Sequence, residues 1–352
     1  MKVLHVISSL GIGGAERLIS DMLPQMKKVG EDVSLLVYRR LNNEFEEKLE
    51  ESGVPLISLE LKNNLSPWII YSLIKTMKGF DLIHVHLFPA LYQVAIANLL
   101  CHRKLIYTEH NTTNKRRNLS IFRGIEKLIY SRYSHIISVS VEVRNNLSNW
   151  LETKDSKVSV INNGIDIEAY RIPRGTNDYP FTLLMVSRFV PAKDQMTVIR
   201  AMKRLSDDVH VVFVGDGETR KACEELADKL GVAERCHFVG MQSNVPFWIS
   251  KADVGILSTH WEGLPLTVLE MMAGGLPVVA SDVEGLKQVV EGAGILFNEE
   301  DDSDLANIIS ELIENQEYYS SVVVCCRERV NEYSIMNTIK GYIQVYYDSY
   351  DL

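Results

Sequence analysis

Nothing in this chain approaches the run of about 18 to 20 apolar residues that a membrane-spanning helix requires. The amino terminus, MKVLHVISSLGIGGAERL, holds a lysine and a short apolar run. That run contains His5 and ends in glycines rather than at a small-residue cleavage site, so it reads as a first β-strand and not as a secretory leader. Cysteine is scarce. The five residues, Cys101, Cys223, Cys236, Cys325 and Cys326, are odd in number and form no C-x-x-C pair, which argues against a disulfide framework or a zinc site and suits a reducing cytoplasm. Positive charge is short as well: a net charge of −9 leaves no basic footprint for nucleic acid. Internal repeats and low-complexity tracts are also missing.

What is there is an ordinary globular composition, 46% hydrophobic and 24% charged, in 352 residues, which is too long for one typical core and comfortable for two domains. The charge is uneven. Between Cys101 and His135 eight Lys and Arg stand against two Glu, among them Lys115, Arg116, Arg117 and Arg123. A solvated helix face is the plain explanation; contact with an anionic membrane surface or a phosphate-bearing acceptor is the sharper one.

Short runs rich in Val, Ile and Leu, bounded by turn residues and alternating with longer amphipathic patterns, mark buried parallel strands. The first half offers KVLHVISS, DVSLLVY, LISLEL, LIHVH, KLIYTEH, HIISVS and KVSVINNG, with helices such as Ala15 to Val29 and Ala90 to Cys101. The second half offers FTLLMVSR, VHVVFVGDG, CHFVGM, VGILST, PVVASD and GILF, with helices near Met196 to Leu205, Thr219 to Leu230 and Leu266 to Ala273. The breaker-rich stretch YRIPRGTNDYP, Tyr170 to Pro180, reads as the linker. The expected fold is therefore α/β, two doubly wound Rossmann-like domains facing a central cleft, with ligands outside the carboxyl ends of the strands.

At those strand ends, Gly11, Gly13 and Gly14 bare the backbone at the head of a helix, where an anionic group is favoured. The spacing misses the full dinucleotide fingerprint, and Glu16 would set negative charge beside a pyrophosphate. TEHN places Glu109, His110 and Asn111 after a strand, and His110 is a candidate to touch substrate. His84 and His86 share one face of LIHVH; two imidazoles so placed can hold a metal, but no third ligand is evident and a structural role is the stronger reading.

In the second half SRFVPAKD sets Arg188 and Lys193 in one strand-end loop, able to clamp a diphosphate by a planar fork and a point charge. VGDGE, with Gly215, and FVGM, with Gly240 and Met241, let a ligand approach the backbone. EGLPLTVLE puts Glu262 in a loop and Glu270 on a helix whose first turn suits Pro265, with free N–H groups near Leu266 and Thr267 between them. One carboxylate could grip sugar hydroxyls on one side of an anion site and the other on the opposite side. A literal D-x-D at Asp302 to Asp304 lies in an acidic helix-capping stretch and is not read as a metal site.

GGAE at Gly13, TEHN at Thr108, VSVEVRNNL at Val139, INNGID at Ile161, SRFVPAKD at Ser187, VGDGE at Val214 and the E-x7-E pair Glu262 and Glu270 follow in that order. Together they resemble the retaining nucleotide-sugar glycosyltransferases of family four, with the two-domain GT-B fold, of the bacterial surface-polysaccharide type. The resemblance implies an acceptor-side domain at 1–170 plus a crossing helix at 335–352, and a donor domain at 171–334. It implies that Arg188 and Lys193 bind the donor diphosphate and Glu270 the ribose. Glu262 and the backbone at Gly263, Leu264, Pro265 and Leu266 would hold the sugar, and Gly240, Met241 and Gln242 would frame the base. Gly13, Gly14 and His110 would close over the donor sugar. The implied activity is hexosyl transfer, from a UDP-sugar in preference to a GDP-sugar, to a glycan or lipid-linked acceptor. The location would be the cytoplasm, peripheral at the inner membrane face, and no metal or cofactor is called for. The loop Thr112 to Ser120 would bear on acceptor choice. GLP in place of the common GFG after Glu262, and GG in place of CG at Gly274 and Gly275, bear on sugar preference. Two alternatives stay open: a catalytically silent nucleotide-sugar-binding subunit, which would keep Arg188, Lys193 and Glu270, and a nicotinamide-dependent oxidoreductase.

Overall fold

A computed structural model describes residues 1–350 apart from 12, 62–65, 67, 112–114, 120, 153–156 and 177. The chain folds into two compact units, Met1–Gly164 with Ile335–Leu352, and Ile165–Ser334.

The first unit is built on a seven-stranded sheet, β1 (Lys2–Ile7), β2 (Asp32–Val37), β3 (Leu56–Ser58), β4 (Leu82–His86), β5 (Lys104–Glu109), β6 (His135–Ser138) and β7 (Val158–Val160). Their order across the sheet is β3-β2-β1-β4-β5-β6-β7, with every pairing parallel. Five of the six residues of β1 and all of β4 are buried, which is why these strands read as unbroken apolar runs instead of alternating ones. The edge strands β3 and β7 are shorter than LISLEL and KVSVINNG suggest, since an edge that ends early exposes fewer unpaired backbone groups. Helix Gly14–Lys28 buries Leu18, Ile19, Met22, Leu23 and Met26 on one stripe and ends in Lys27 and Lys28, cations suited to a helix carboxyl end. The last helix, Ile335–Tyr350, belongs to this unit and buries Ile339, Tyr342 and Tyr346 in its core.

The second unit carries β8 (Phe181–Val186), β9 (Val209–Val214), β10 (Cys236–Gly240), β11 (Val254–Leu257), β12 (Val278–Ser281) and β13 (Ile295–Phe297). Their order is β10-β9-β8-β11-β12-β13, again all parallel. Both orders are those of a doubly wound sheet that reverses once, between β1 and β4 in one unit and between β8 and β11 in the other.

The chain passes between units earlier than the breaker-rich stretch suggests. Ile165 already donates its N–H to the Tyr333 carbonyl (2.9 Å), and Ile167 and Tyr170 are buried in the second core. Much of YRIPRGTNDYP lies against the second unit, where Gly175 donates to the Ser250 carbonyl (2.9 Å) and Arg174 pairs with Asp253. All five cysteines are free thiols. Among the described residues no helix is long and apolar enough to cross a membrane.

Candidate active site

In the second sheet the chain turns one way after β8 and the other way after β11, and the two loops are stitched together where they diverge. Lys193 and Thr259 form an isolated antiparallel bridge. Asp194 N–H donates to the Ser258 carbonyl (3.1 Å), while the Ala192 carbonyl accepts from His260 N–H (3.0 Å) and Thr259 Oγ1 (2.7 Å). The Asp194 side chain caps helix Gln195–Met202 by accepting from Thr197 N–H (3.1 Å) and also accepts from Ser258 Oγ (3.2 Å). Gln195, buried, donates to Ser187 Oγ and to the Arg188 carbonyl, both at 3.0 Å. A polar lattice of this kind holds a loop at a fixed place, which is what a clamp requires.

Three charges occupy that place. Lys193 Nζ is in direct contact with Glu262 Oε1, and both side chains are largely shielded, 17% and 13% exposed. Burial first, then the Arg188 charge, lower the Lys193 ammonium to about 8, while the adjoining Glu262 carboxylate favours its charged form. Arg188 is exposed and makes no ion pair with any described residue, so one cation here is not neutralised by a described carboxylate.

Glu262 lies just before helix Leu266–Ala273. Pro265 is the cap residue (ψ 85°) and not the first helical residue that its missing N–H would suit, and no side chain of a described residue caps this end. Gly263, Leu264 and Leu266 are partly accessible, whereas Glu270, more than a turn into the helix, is buried. Behind Glu262 stands Gly285, whose bare Cα lies against the Glu262 carbonyl so closely that any β-carbon there would collide with it. Sequence reading missed Gly285 because that contact is between the backbone of a loop and the backbone at the start of helix Glu284–Val290, far apart in sequence. Beside the clamp, Gly215 (φ +142°) packs under the Ser187 carbonyl, a position that only glycine fills without strain. It donates to the Gly240 carbonyl (2.8 Å), which places Gly240 against the clamp, with Met241 and Gln242 exposed after it.

In the first unit Gly13 caps helix Gly14–Lys28, and the Glu16 side chain folds over it, its carboxyl raised by burial. Glu109 is a structural carboxylate: Arg117 Nη2 (2.6 Å) and Tyr130 OH (2.7 Å) both donate to its Oε2, and Asn111 N–H donates to Oε1 (3.2 Å). Arg116 pairs with Glu126, and Arg123 and Lys127 with Glu152, so much of the basic segment answers carboxylates of its own unit. Residues 112–114 and 120 of the Thr112 to Ser120 loop lie outside the described residues.

His84 and His86 do have a third imidazole beside them, contrary to the sequence reading. His5 on β1 stands in register with His84 on β4, and their ring nitrogens, with those of His86, lie within 4.8 Å of one another. His5 is 79 positions from His84 in sequence but adjacent to it in the sheet. Every ring nitrogen of these three has a hydrogen-bond partner, so the spacing that could hold a metal is taken up by a network. Asp302 pairs with Arg204 (2.6 Å), and Asp304 accepts from Asn298 N–H (2.8 Å), which leaves the D-x-D engaged as helix-end chemistry.

Residues 12–169 match the family model described as Glycosyltransferase Family 4, and residues 166–323 that described as Glycosyl transferases group 1. Curated relatives include the UDP-Gal:alpha-D-GlcNAc-diphosphoundecaprenol alpha-1,3-galactosyltransferase of Escherichia coli, 23% identical over 99% of this chain and 97% of that one. Another is the phosphatidyl-myo-inositol mannosyltransferase of Mycolicibacterium smegmatis, 26% identical over 72% of this chain and 67% of that one. Among solved structures, Anabaena HepE in complex with UDP-glucose superposes with a TM-score of 0.83 at 22% identity, covering 99% of this chain and 100% of that one, a likeness of fold. With both sheets, both family halves and this likeness in agreement, the chain belongs to the glycosyltransferases of family four and has the GT-B type of fold.

Proposed function

We propose that this glycosyltransferase moves a hexosyl group from a UDP-sugar to a hydroxyl of a glycan or lipid-linked acceptor, with retention of configuration, in the assembly of a cell-surface polysaccharide. The observation that carries the reading is the clamp at the reversal point of the second sheet: two cations, Arg188 and Lys193, a facing Glu262, and an uncapped helix end at Leu266. A diphosphate suits that set better than a neutral ligand, because cations and free N–H groups converge on one place. The galactosyltransferase relative is named for a UDP-sugar donor and a diphospholipid-linked acceptor, which supports the same choice here.

In this reading the bond between the anomeric carbon and the diphosphate oxygen breaks, and a bond from the acceptor oxygen to that carbon forms on the same face. The acceptor proton passes to the departing phosphate. Arg188, Lys193 and the N–H groups at Leu266 stabilise the leaving charge, and such preorganised donors are each worth about 100- to 1000-fold in rate. Glu262, with Gly263 and Leu264, holds sugar hydroxyls, Glu270 the ribose, and Gly240 to Gln242 the base; the resemblance assigns Gly13, Gly14 and His110 to the sugar as well. The first unit would lie at the inner membrane face through helix Ile121–Tyr130, whose Ile121 is 75% and Leu128 58% exposed.

A thermal-shift screen across nucleotide sugars tests the donor, since a ligand at 100 times its Kd adds about 2.7 kcal/mol of apparent stability. Stabilisation by UDP-hexoses over GDP-hexoses, followed by an α-linked product from an α-linked donor, is the expected result. A GDP preference or an inverted product would overturn it.

A further inference from the structure

We propose that a chain of seven hydrogen-bonded side chains, running from Tyr342 to His110, holds His110 in its Nε2–H tautomer, so that the Nδ1 lone pair is left to accept a hydrogen bond from a hydroxyl of the sugar. On this assignment Thr108, His84, Tyr346, His5 and His86 are positioning residues for the transfer reaction. The inference rests on the reading that His110 serves the reacting sugar.

The chain is continuous. Thr108 Oγ1 donates to Tyr342 OH (3.3 Å) and lies 2.7 Å from His84 Nε2. His84 Nδ1 is 2.6 Å from Tyr346 OH, and Tyr346 OH is 3.2 Å from His5 Nε2. His5 Nδ1 is 3.0 Å from His86 Nε2, and His86 Nδ1 is 3.2 Å from His110 Nε2. The elements explain the alignment: His84 and His86 alternate on one face of β4, His5 sits in register on β1, and the last helix brings Tyr342 and Tyr346 onto the same face.

With Thr108 as donor to Tyr342 the run has one polarity, and it spares His110 a shielded Nδ1–H with no acceptor among the described residues. Burial lowers all four imidazoles far below the ordinary value, His5 and His110 to about 3, so each carries a single ring proton. A hydroxyl has one hydrogen. Since Thr108 gives its own to Tyr342, it must accept from His84 Nε2–H, which leaves His84 Nδ1 bare to accept from Tyr346. Tyr346 then accepts from His5 Nε2–H, His5 Nδ1 from His86 Nε2–H, and His86 Nδ1 from His110 Nε2–H. One tautomer fixes the next, seven groups in succession. The last atom, His110 Nδ1, is shielded from solvent and has no hydrogen-bond partner among the described residues. It is the one ring nitrogen of the four imidazoles left for a ligand. A metal at His5, His84 and His86 would have to break three or more of these bonds, so the ring spacing is accounted for without one.

The test reads the tautomer directly, by two-bond proton–nitrogen correlation spectra of the full-length protein labelled with 15N histidine. Wild type should show neutral His110 protonated at Nε2. Thr108→Val removes the hydroxyl that sets the polarity, and Tyr346→Phe removes a central link; in either, both His110 tautomers should appear. The same variants should lose about 5- to 10-fold in kcat, the worth of one net hydrogen bond, with the donor KM nearly unchanged. His86→Leu should behave alike, whereas the amide oxygen of His86→Asn can accept from His110 Nε2–H and should restore both tautomer and rate. A wild-type His110 carrying its proton on Nδ1, or variants that lower kcat while the tautomer stays single, would overturn the proposal. Unaltered turnover in His110→Ala alongside the expected spectra would instead remove His110 from the transfer step and leave the tautomer assignment standing.

Discussion

Lys193 and Glu262 are 69 positions apart in the chain and in direct ionic contact, so the cation proposed for the diphosphate is held by the carboxylate proposed for the sugar. On that proposal a diphosphate beside Arg188 would compete for the ammonium, and Lys193 turning toward phosphate would free the Glu262 oxygens for hydroxyls. Two variants separate the roles. Glu262→Gln keeps the shape, removes the competitor and should bind UDP at least as tightly as wild type, while transfer falls about 100-fold or more. Lys193→Met removes the charge-assisted bond and should weaken UDP binding about 10- to 100-fold by calorimetry. Normal turnover in Glu262→Gln would sink the sugar-side role.

The pH dependence of donor binding follows from the same lysine. Burial and the Arg188 charge lower Lys193 from the ordinary 10.5 to about 8, and a bound diphosphate would restore the ammonium. UDP affinity should therefore be flat on this account below pH 8 and weaken above it, by up to about tenfold per unit until the bound pKa is passed. Stability runs the other way. The unfolded chain binds more protons between pH 8 and 10.5, so the destabilising contribution of this buried ammonium fades as pH rises through that window. Calorimetry in buffers of different ionisation enthalpy should show proton uptake on UDP binding at pH 8.5, and none in Lys193→Met.

Gly285 sets where Glu262 sits. A β-carbon at Gly285 would collide with the Glu262 carbonyl, so Gly285→Ala must push the loop Glu262 to Pro265 outward. Displacements of about 1 Å at a reacting centre cost on the order of 100-fold. Turnover should fall by that order, with UDP binding retained through Arg188 and Lys193. An unchanged kcat in a folded Gly285→Ala protein counts against a sugar contact at Glu262.

Glu109 is the buried anchor that keeps His110 at the end of β5. Arg117→Met would leave that carboxylate facing Tyr130 without its cation, and breaking a buried pair from one side typically costs about 3 to 5 kcal/mol. Arg117→Met with Glu109→Gln should recover much of the loss. Denaturant titrations of the two variants check this, and equal destabilisation in both would remove the ion pair as the cause.

Why so much of the fold could be read from the sequence is plain in β4 and β8. Parallel strands covered on both faces cannot alternate, so LIHVH and FTLLMV stand out as short apolar runs between helical patterns. The strand-end loops are legible for the same reason: they follow such runs, and their polar residues Arg188, Lys193 and Glu262 are the ones proposed for the ligand. What was not legible depends on pairs that only the folded sheet brings together. His5 looks like a lone core residue until β1 is set beside β4, and Gly285 looks like an ordinary helix-start glycine until the Glu262 carbonyl is placed against it. The linker was misplaced because breakers mark where a chain turns and not what it packs against. Tyr170 and Gly175 are held by the second unit.

Helix Ile121–Tyr130 turns its apolar residues outward. Ile121, Ile125 and Leu128 recur at helical spacing and are exposed, and helix Ala90–Cys101, packed beside it, and helix Trp68–Met77, packed beside that, expose Leu99, Leu100, Trp68 and Tyr71. Arg123 and Lys127 flank it, but both answer Glu152, so apolar burial and not charge should dominate docking on a lipid surface. Each large apolar side chain inserted is worth about 1.5 to 3 kcal/mol. Ile125→Glu with Leu128→Glu should therefore reduce partition onto phosphatidylglycerol-containing vesicles by at least about 100-fold. Turnover of a water-soluble acceptor analogue should stay the same, because neither residue lies at the clamp. Raising the salt from 0.1 to 0.5 M should weaken wild-type partition only modestly, since screening acts on the exposed charges and not on the buried apolar face. Vesicle co-sedimentation reads all of this, and a partition that collapses with salt while ignoring the double substitution would make the contact electrostatic and move it to the basic residues of the segment.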